Sequence, residues 1–421
     1  MIMAKLFLLL FITFSLSFSK VFVAKWNDAV TPVMVDYIKR SLERAKREGG
    51  TLFILELNTP GGLESSMREV VQEFQATSLP VVVYVYPPGG RAASAGAIIT
   101  ISADVAVMAP GTNIGAAHPV QMGGERMDET MKEKVLQDML AFVRSIAKEK
   151  GRNPTVVERM VKESISLTPE EALKEGVIDF IAQDRQDLLE KLEGRRVKKH
   201  GEEKVLKTKG VQVVEVDKSL REEFLRVITN PTVAYMLLLI GFYGIFFELY
   251  NPGSIIPGSV GVISLLLGLY GLGIIGINWL GLLLIVAGIL LLILELITPA
   301  FGGLALAGAI ALAIGSLILI DPSSPYGDIP LSVIATMVVL TVAFFLFAGR
   351  LGLKAQQRKK MLGIEGLIGE RGEAYTDFEK GKGKVFLHGE IWNAVSDQEI
   401  KKGDQVEVIE VSGLTLRVRK V

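Results

Sequence analysis

The spacing of apolar and polar positions changes character twice along the chain. Residues 20–230 mix short apolar runs with charged stretches, whereas residues 231–349 are almost uncharged and residues 365–421 return to a mixed pattern. In the first region Thr51–Leu57 is a continuous apolar run with β-branched and aromatic side chains, which predicts a buried strand. It stops at Asn58-Thr59-Pro60-Gly61-Gly62, a strong turn signal. From Glu64 to Phe74 the apolar positions Met67, Val70, Val71 and Phe74 fall at helical spacing. Val81–Tyr86 predicts a second strand, closed by Pro87-Pro88-Gly89-Gly90, and the small residues Ala92–Ala97 open another helix. A third strand is expected at Val105–Met108, and a longer helix over Met127–Lys150. Strands alternating with helices predict an α/β domain built on largely parallel strands.

The uncharged block divides into five apolar stretches, 231–248, 258–276, 279–297, 302–320 and 331–349. Each is close to the ~20 residues that a bilayer core requires. Residues 1–19 have the form of a secretory signal: Lys5 precedes an apolar run from Leu6 to Leu16, and Ser17 and Ser19 supply small residues for cleavage. An uncleaved anchor would equally send residues 20–230 out of the cytoplasm. Five spans then return the C-terminus to the inside. Arg350, Lys354, Arg358, Lys359 and Lys360 follow the last stretch, within a basic linker over 350–364, while the loop from Asp321 to Pro330 holds two aspartates and no basic residue. This asymmetry gives the same orientation independently of the signal. Glu248-Leu249 before Pro252 is echoed by Glu295-Leu296 before Pro299, which predicts two helical hairpins related by repetition plus a fifth helix. At the ends of their stretches the two glutamates read as interfacial carboxylates.

Composition narrows the chemistry. Apolar residues make up 49% and mean hydropathy is +0.39, in keeping with a soluble region joined to a membrane region. The 46 basic and 46 acidic residues balance, so no nucleic-acid partner is implied. With no cysteine, neither a thiolate metal site nor a cysteine nucleophile is open to this chain. Three scattered histidines suggest no zinc site, and no cofactor or metal is expected. In 365–421, candidate strands at Gly369–Tyr375, Gly383–His388, Glu390–Ala394, Asp404–Val411 and Thr415–Lys420 predict a small barrel. Its charges nearly balance and its aromatics are few, so a role in protein interaction or structure is expected.

In α/β sheets, sites form at the carboxyl ends of the strands. Here Gly61-Gly62 offers backbone amides unobstructed by side chains, and Ser94 stands where a helix begins. One hydroxyl and two sets of amides are what acyl transfer needs, together with a base. Lys134 lies beside the apolar positions Val135, Met139, Phe142, Val143 and Ile146, where partial desolvation would make its amine a usable base. His118, in Gly115-Ala116-Ala117-His118-Pro119, is a second candidate, and Lys132 a third. Spacing does not choose among them.

Taken together, Asn58-Thr59-Pro60-Gly61-Gly62, Ala92-Ala93-Ser94-Ala95-Gly96 and Leu167-Thr168-Pro169-Glu170-Glu171-Ala172-Leu173 with Gly176-Val177-Ile178-Asp179 resemble the ClpP/crotonase superfamily. Over its whole length the chain resembles the long form of the NfeD membrane proteases, or stomatin operon partner proteases. The resemblance implies a signal peptide (1–19), a ClpP-like serine protease domain (20–230), a transmembrane domain (231–349) and, beyond the basic linker, a C-terminal OB-fold (365–421). It implies a serine–lysine dyad with Ser94 as nucleophile. The stretch Phe142-Val143-Arg144-Ser145-Ile146-Ala147 places Lys134, rather than Lys132, at the base position. Gly61, with Gly62, and the amide of Ala95 would form the oxyanion hole. His118 falls close to the catalytic histidine of ClpP-type peptidases; as a base it would need an orienting acid such as Asp179 or Asp104.

The resemblance further implies a membrane-anchored endopeptidase that cleaves hydrophobic segments of stomatin- or flotillin-like partners, as a dimer or higher oligomer. A non-catalytic membrane scaffold organising such partners is the alternative, and an acyl-CoA enzyme of the crotonase kind is a distant third. The orientation is open to direct test. A reporter enzyme fused after Val421 is expected to be active only in the cytoplasm, and activity outside the cell membrane overturns the topology.

Overall fold

A computed structural model of the protein describes residues 19–119, 128–250, 252–253, 255–298, 301–320, 329–357 and 364–421. The predicted signal, apart from Ser19, and most of the acidic loop 321–330 lie outside the described residues. The chain divides into two compact units, Met1–Val342 and Ala343–Val421.

The first unit begins with β1 (Lys20–Asn27), α1 (Pro32–Arg47), β2 (Gly50–Asn58), α2 (Glu64–Ala76) and β3 (Val81–Val85), followed by β4 (Arg91–Ala93), α3 (Ala95–Ser102), β5 (Val105–Met108) and β6 (Asn113–Gly115). After α4 (Glu129–Glu149) and α5 (Pro154–Lys162) come β7 (Ser166–Leu167), α6 (Pro169–Lys174), β8 (Phe180–Ile181) and α7 (Arg185–Leu192). The region closes with β9 (Arg196–Lys199), β10 (Glu202–Val205), β11 (Gln212–Val216) and α8 (Leu220–Ile228). Six strands form one parallel sheet in the order β11-β1-β2-β3-β5-β8. Apolar clusters cover both faces: Phe22, Phe53 and Val83 on one, Leu52, Ile54 and Tyr84 on the other. Burial on both sides is why β2 and β3 read as unbroken apolar runs. A second, three-stranded sheet holds β4 parallel to β6, with β7 antiparallel to β6.

One predicted element is corrected. Within Ala92–Ala97 the helix opens only at Ala95. Ala92 and Ala93 lie in β4, and α3 starts at Ala95. The Thr59 amide donates to Arg91 O (2.7 Å) and the Ala93 amide to Thr59 O (3.1 Å), so the turn after β2 draws this stretch out as a strand. Ser94 is left as the hinge between strand and helix.

The apolar block forms α9 (Pro231–Tyr250), α10 (Ile256–Ile275), α11 (Trp279–Ile297), α12 (Gly303–Ile318) and α13 (Leu331–Gln357). By length and composition the first three can cross a bilayer; α12 and the apolar part of α13, residues 331–347, are shorter. The five stretches expected from the sequence are thus five helices, three of which are long and apolar enough among the described residues to cross a bilayer. The predicted repetition appears in the packing. A Cβ at Gly241 would lie 2.7 Å from Leu265 Cα, and one at Gly288 would lie 2.8 Å from Leu312 N, so matching helices of the two hairpins touch at matching positions. Glu295 accepts from the amides of Gly302 (2.8 Å), Leu304 (3.0 Å) and Ala305 (3.2 Å), capping the start of α12. Among the described residues Glu248 reaches Gly253 (3.3 Å), and its Oε2 is buried with no partner there. Pro257 occupies the place of Leu304 in the repeat and has no N–H to give. Tyr235 and Ser316, with hydroxyls 2.8 Å apart, join the two hairpins.

The second unit contains a closed five-stranded barrel, β12 (Arg371–Ala374), β13 (Lys382–Leu387), β14 (Glu390–Val395), β15 (Gln405–Ser412) and β16 (Thr415–Lys420), in the order β12-β13-β14-β16-β15. Val385, Leu387, Val406, Val408, Leu416 and Val418 fill it.

Helix α8 joins the α/β region to the membrane helices and is clamped to α1. Arg40 donates twice to Glu222, both at 2.7 Å, and once to Asp217 O. Burial opposes the charge on Glu222, but the Arg40 guanidinium and the Ser219 amide outweigh it and hold the carboxyl below its ordinary value. A lowered carboxyl contributes its full stabilisation above the ordinary carboxylate pKa and loses it as pH falls through the lowered one. Arg40→Met is therefore expected to destabilise the protein by about 1–3 kcal/mol at neutral pH. The difference should hold down to the ordinary carboxylate value of about 4 and vanish once pH has fallen below the lowered one. Denaturant unfolding followed by tryptophan fluorescence at both pH values checks this; a pH-independent difference refutes it.

Candidate active site

The site is built on the turns that follow β2 and β4. After β2 the chain passes through Gly61 (φ 119°) and Gly62 (φ 159°). The Val30 amide donates to Gly61 O (2.7 Å) and the Leu63 amide to Val30 O (2.9 Å), which ties this turn to the loop after β1. A Cβ at Gly62 would stand 2.1 Å from Val30 O, and one at Gly61 would stand 2.7 Å from Ser94 Cβ. Both glycines are thus required by close approach, one to a backbone and one to the serine.

Ser94 has φ 51° and ψ −118°, a backbone conformation that costs a non-glycine residue about 1–3 kcal/mol. Its amide donates to Gly115 O (2.8 Å) and its carbonyl accepts from Ala97 (3.0 Å), so sheet and helix together impose the conformation. Ser94 is the N-cap of α3, yet its hydroxyl makes no capping bond and has no partner among the described residues. The amides of Gly62 and Ala95 likewise have no acceptor there. The Gly61 amide donates to Thr59 Oγ1 at 3.2 Å.

Ser94, Gly62 and Ala95 line a cavity of about 810 Å³ with Met67, Ile98 and Met139 on its apolar side. His118 and Lys132 also line it. The His118 Nδ1–H donates to Val161 O (3.0 Å), a last-turn carbonyl of α5 without a helical donor. A carbonyl only accepts, so this bond assigns the proton to Nδ1 and leaves Nε2 as the acceptor. The acids expected to orient His118 are occupied elsewhere. Asp104 binds Lys150 (2.7 Å) and Lys199 (2.9 Å), and Asp179 binds Arg152 (3.0 Å). The orienting group is a main-chain carbonyl, which composition and spacing could not reveal.

Lys132 pairs with Glu129 at 2.8 Å. Lys134 is exposed and is not among the residues lining the cavity. Lys132, Leu136 and Met139 face the cavity at helical spacing, and Lys134, two residues from Lys132, falls on the other side of α4. The apolar neighbours that were expected to desolvate Lys134 belong to the opposite face. A second cavity of about 840 Å³, between Arg185 and Val211, has one hydroxyl, Thr208, whose oxygen is committed to Leu189 O (2.6 Å) and Glu193 (3.1 Å).

Three family models match the chain. The NfeD1b N-terminal domain matches residues 20–218, the NfeD integral membrane domain residues 232–350, and the NfeD-like C-terminal, partner-binding domain residues 364–420. The membrane-bound protease PH1510 of Pyrococcus horikoshii is 34% identical over 411 residues, covering 94% of this chain and 92% of that protein. The membrane protein NfeD1b of Bacillus subtilis is 29% identical over 430 residues, covering 95% and 93%. Among solved structures, a lysine-to-alanine mutant of the 1510-N membrane-bound stomatin-specific protease in complex with a substrate peptide is 34% identical. It covers 50% of this chain and 97% of its own, with a TM-score of 0.47.

The contact between Gly61 and Ser94 yields a prediction. Gly61→Ala is expected to abolish labelling of Ser94 by a fluorophosphonate probe while far-ultraviolet circular dichroism keeps its native shape; undiminished labelling refutes the packing described.

Proposed function

The chain belongs to the NfeD family of membrane-bound proteases, and from that premise we propose that it is a serine endopeptidase in which Ser94 attacks the peptide carbonyl. The observation that carries this is the Ser94 backbone: its strained hinge leaves the hydroxyl in a cavity with no partner among the described residues, beside the amides of Ala95 and Gly62, which have no acceptor there either. Those amides receive the developing oxyanion. Gly61 joins them once its amide leaves the long bond to Thr59. Lys134, the position that the family resemblance assigns, takes the proton from Ser94 Oγ and returns it to the leaving amine. The acyl-enzyme is then hydrolysed by water activated in the same way. For Lys134 to act, the first turns of α4 must rotate. Residues 129–138 are exposed or half-exposed, and burial begins at Met139, so this end of the helix has little packing to hold it.

His118 as base is a second reading. It is favoured by its place in the cavity and by the fixed tautomer that leaves Nε2 available. The apolar side of the cavity suits hydrophobic segments of membrane proteins such as stomatin- or flotillin-like partners. The C-terminal barrel, matched by a partner-binding model, would recruit them. The protease domain is extracytoplasmic, the barrel is cytoplasmic, and the working form is a dimer or higher oligomer.

Hydrolysis of a fluorogenic apolar peptide by the reconstituted full chain tests the assignment. Ser94→Ala and Lys134→Ala are each expected to lower kcat/KM by at least about a hundredfold, against a small effect for His118→Gln. An active Lys134→Ala variant with an inactive His118→Gln variant transfers the role of base to His118. A wild-type protein that neither cleaves nor labels at Ser94 favours the scaffold.

A further inference from the structure

Helix α8 has two apolar faces, and the α/β region uses only one of them. Leu225 packs on the core cluster of that region and Ile228 is buried, while Glu222 and Arg226 bind Arg40 and Asp28. On another side Leu220, Phe224 and Val227 are 93%, 52% and 41% exposed. At about 100° per residue these three fall within a narrow arc, a continuous apolar stripe. A stripe of this kind on a helix fixed by ion pairs needs something to cover it.

Two features of the fold identify the cover. Only Thr229 and Asn230 separate α8 from α9, which begins at Pro231 and is long and apolar enough to cross a bilayer. A Cβ at Gly271, near the end of α10, would lie 2.1 Å from Ile228 O, so α8 rests against the end of the first hairpin. The start of α9 and the end of α10 lie at one boundary of the helix bundle, and the start of α11 and the end of α12 follow at the same boundary: the Asn278 amide donates to Leu319 O (2.9 Å). Trp279, 72% exposed, stands at that boundary, and exposed tryptophans at span ends mark the headgroup layer.

We infer that α8 lies in the lipid headgroup layer with Leu220, Phe224 and Val227 inserted toward the acyl chains, and so seats the protease domain on the bilayer. A short amphipathic helix adjoining a span buries such a stripe about 5–10 Å below the headgroup boundary. The Arg40–Glu222 and Arg226–Asp28 pairs pass that seating to the α/β region. The domain is thereby held at a fixed attitude over the membrane surface rather than swinging on a tether. This inference needs the membrane anchor and is independent of which base serves Ser94.

The chain contains no cysteine, so single cysteines at Leu220, Phe224, Val227 and, for comparison, Arg221 can be labelled with bimane in the full chain reconstituted into liposomes. A lipid carrying a nitroxide near its headgroup is expected to quench the three stripe labels at least about twofold more than the Arg221 label, with aqueous iodide showing the reverse order. Equal quenching across the four positions overturns the inference. Stripe labels shielded from both quenchers overturn it as well, because a protein surface then covers the helix.

Discussion

The arrangement of this protease domain follows from one strained residue. Ser94 adopts a positive φ that an isolated chain would avoid, and the cost is met by structure on both sides of it. Its amide is fixed to β6 at Gly115, and α3 begins at the next residue. For β4 to end there, the turn after β2 must pair with it through Thr59, and that turn must in turn be bound to Val30. Each step requires a residue that leaves room: glycine at 61 because Ser94 is adjacent, glycine at 62 because the Val30 backbone is adjacent. The parallel sheet supplies the rigid base from which these turns project, which is where α/β folds place their chemistry.

The same economy of backbone donors explains the membrane helices. In hydrocarbon an unpaired amide is costly, so a chain reversal between spans needs an acceptor. Glu295 provides one by receiving three amides at the start of α12. The first hairpin retains the glutamate but has Pro257 where a donor stands in the second, and Glu248 Oε2 finds no partner among the described residues. The two hairpins therefore share their packing but differ in how completely their turns are closed.

Much of this was legible in the sequence, and the failures have physical causes. β2, β3 and β5 were visible because strands buried on both faces are continuous apolar runs. β4 and β6 were not, because strands of three residues have no periodicity to detect and form only through pairing with distant turns. The five barrel strands could be read from glycine punctuation alone. In the membrane region, hydropathy located all five helices. In the candidate site, small residues at turns pointed to Ser94 and the glycines, which the fold brings side by side. The tautomer of His118 was not legible, because its determinant is a carbonyl at the end of α5, a property of the fold and of no side chain. The stripe on α8 escaped notice because Leu220, Phe224 and Val227 look like ordinary core positions until the packing shows that Leu225 and Ile228 have taken that role.

The placement of the lysines carries the synthesis one step further. Helix α4 is anchored from Met139 onward by Val143, Ile146 and Ala147, and the cation–π contact of Arg68 on Phe142 adds to that hold. Ahead of Met139 the helix has only Val135 and Leu136 half-buried, and its N-terminal turn is closed by the cap of Asp128 on Met131. A lysine at 132 is directed into the cavity by the register of the anchored half and is neutralised there by Glu129. A lysine at 134 is directed away by the same register. Among the described residues position 134 has no ion pair, while position 132 has the place in the cavity. Turning the poorly anchored segment exchanges those positions at small cost in burial. The loose end of α4 is thus the place where substrate binding, or contact with a second copy of the chain, could convert a resting arrangement into a catalytic one.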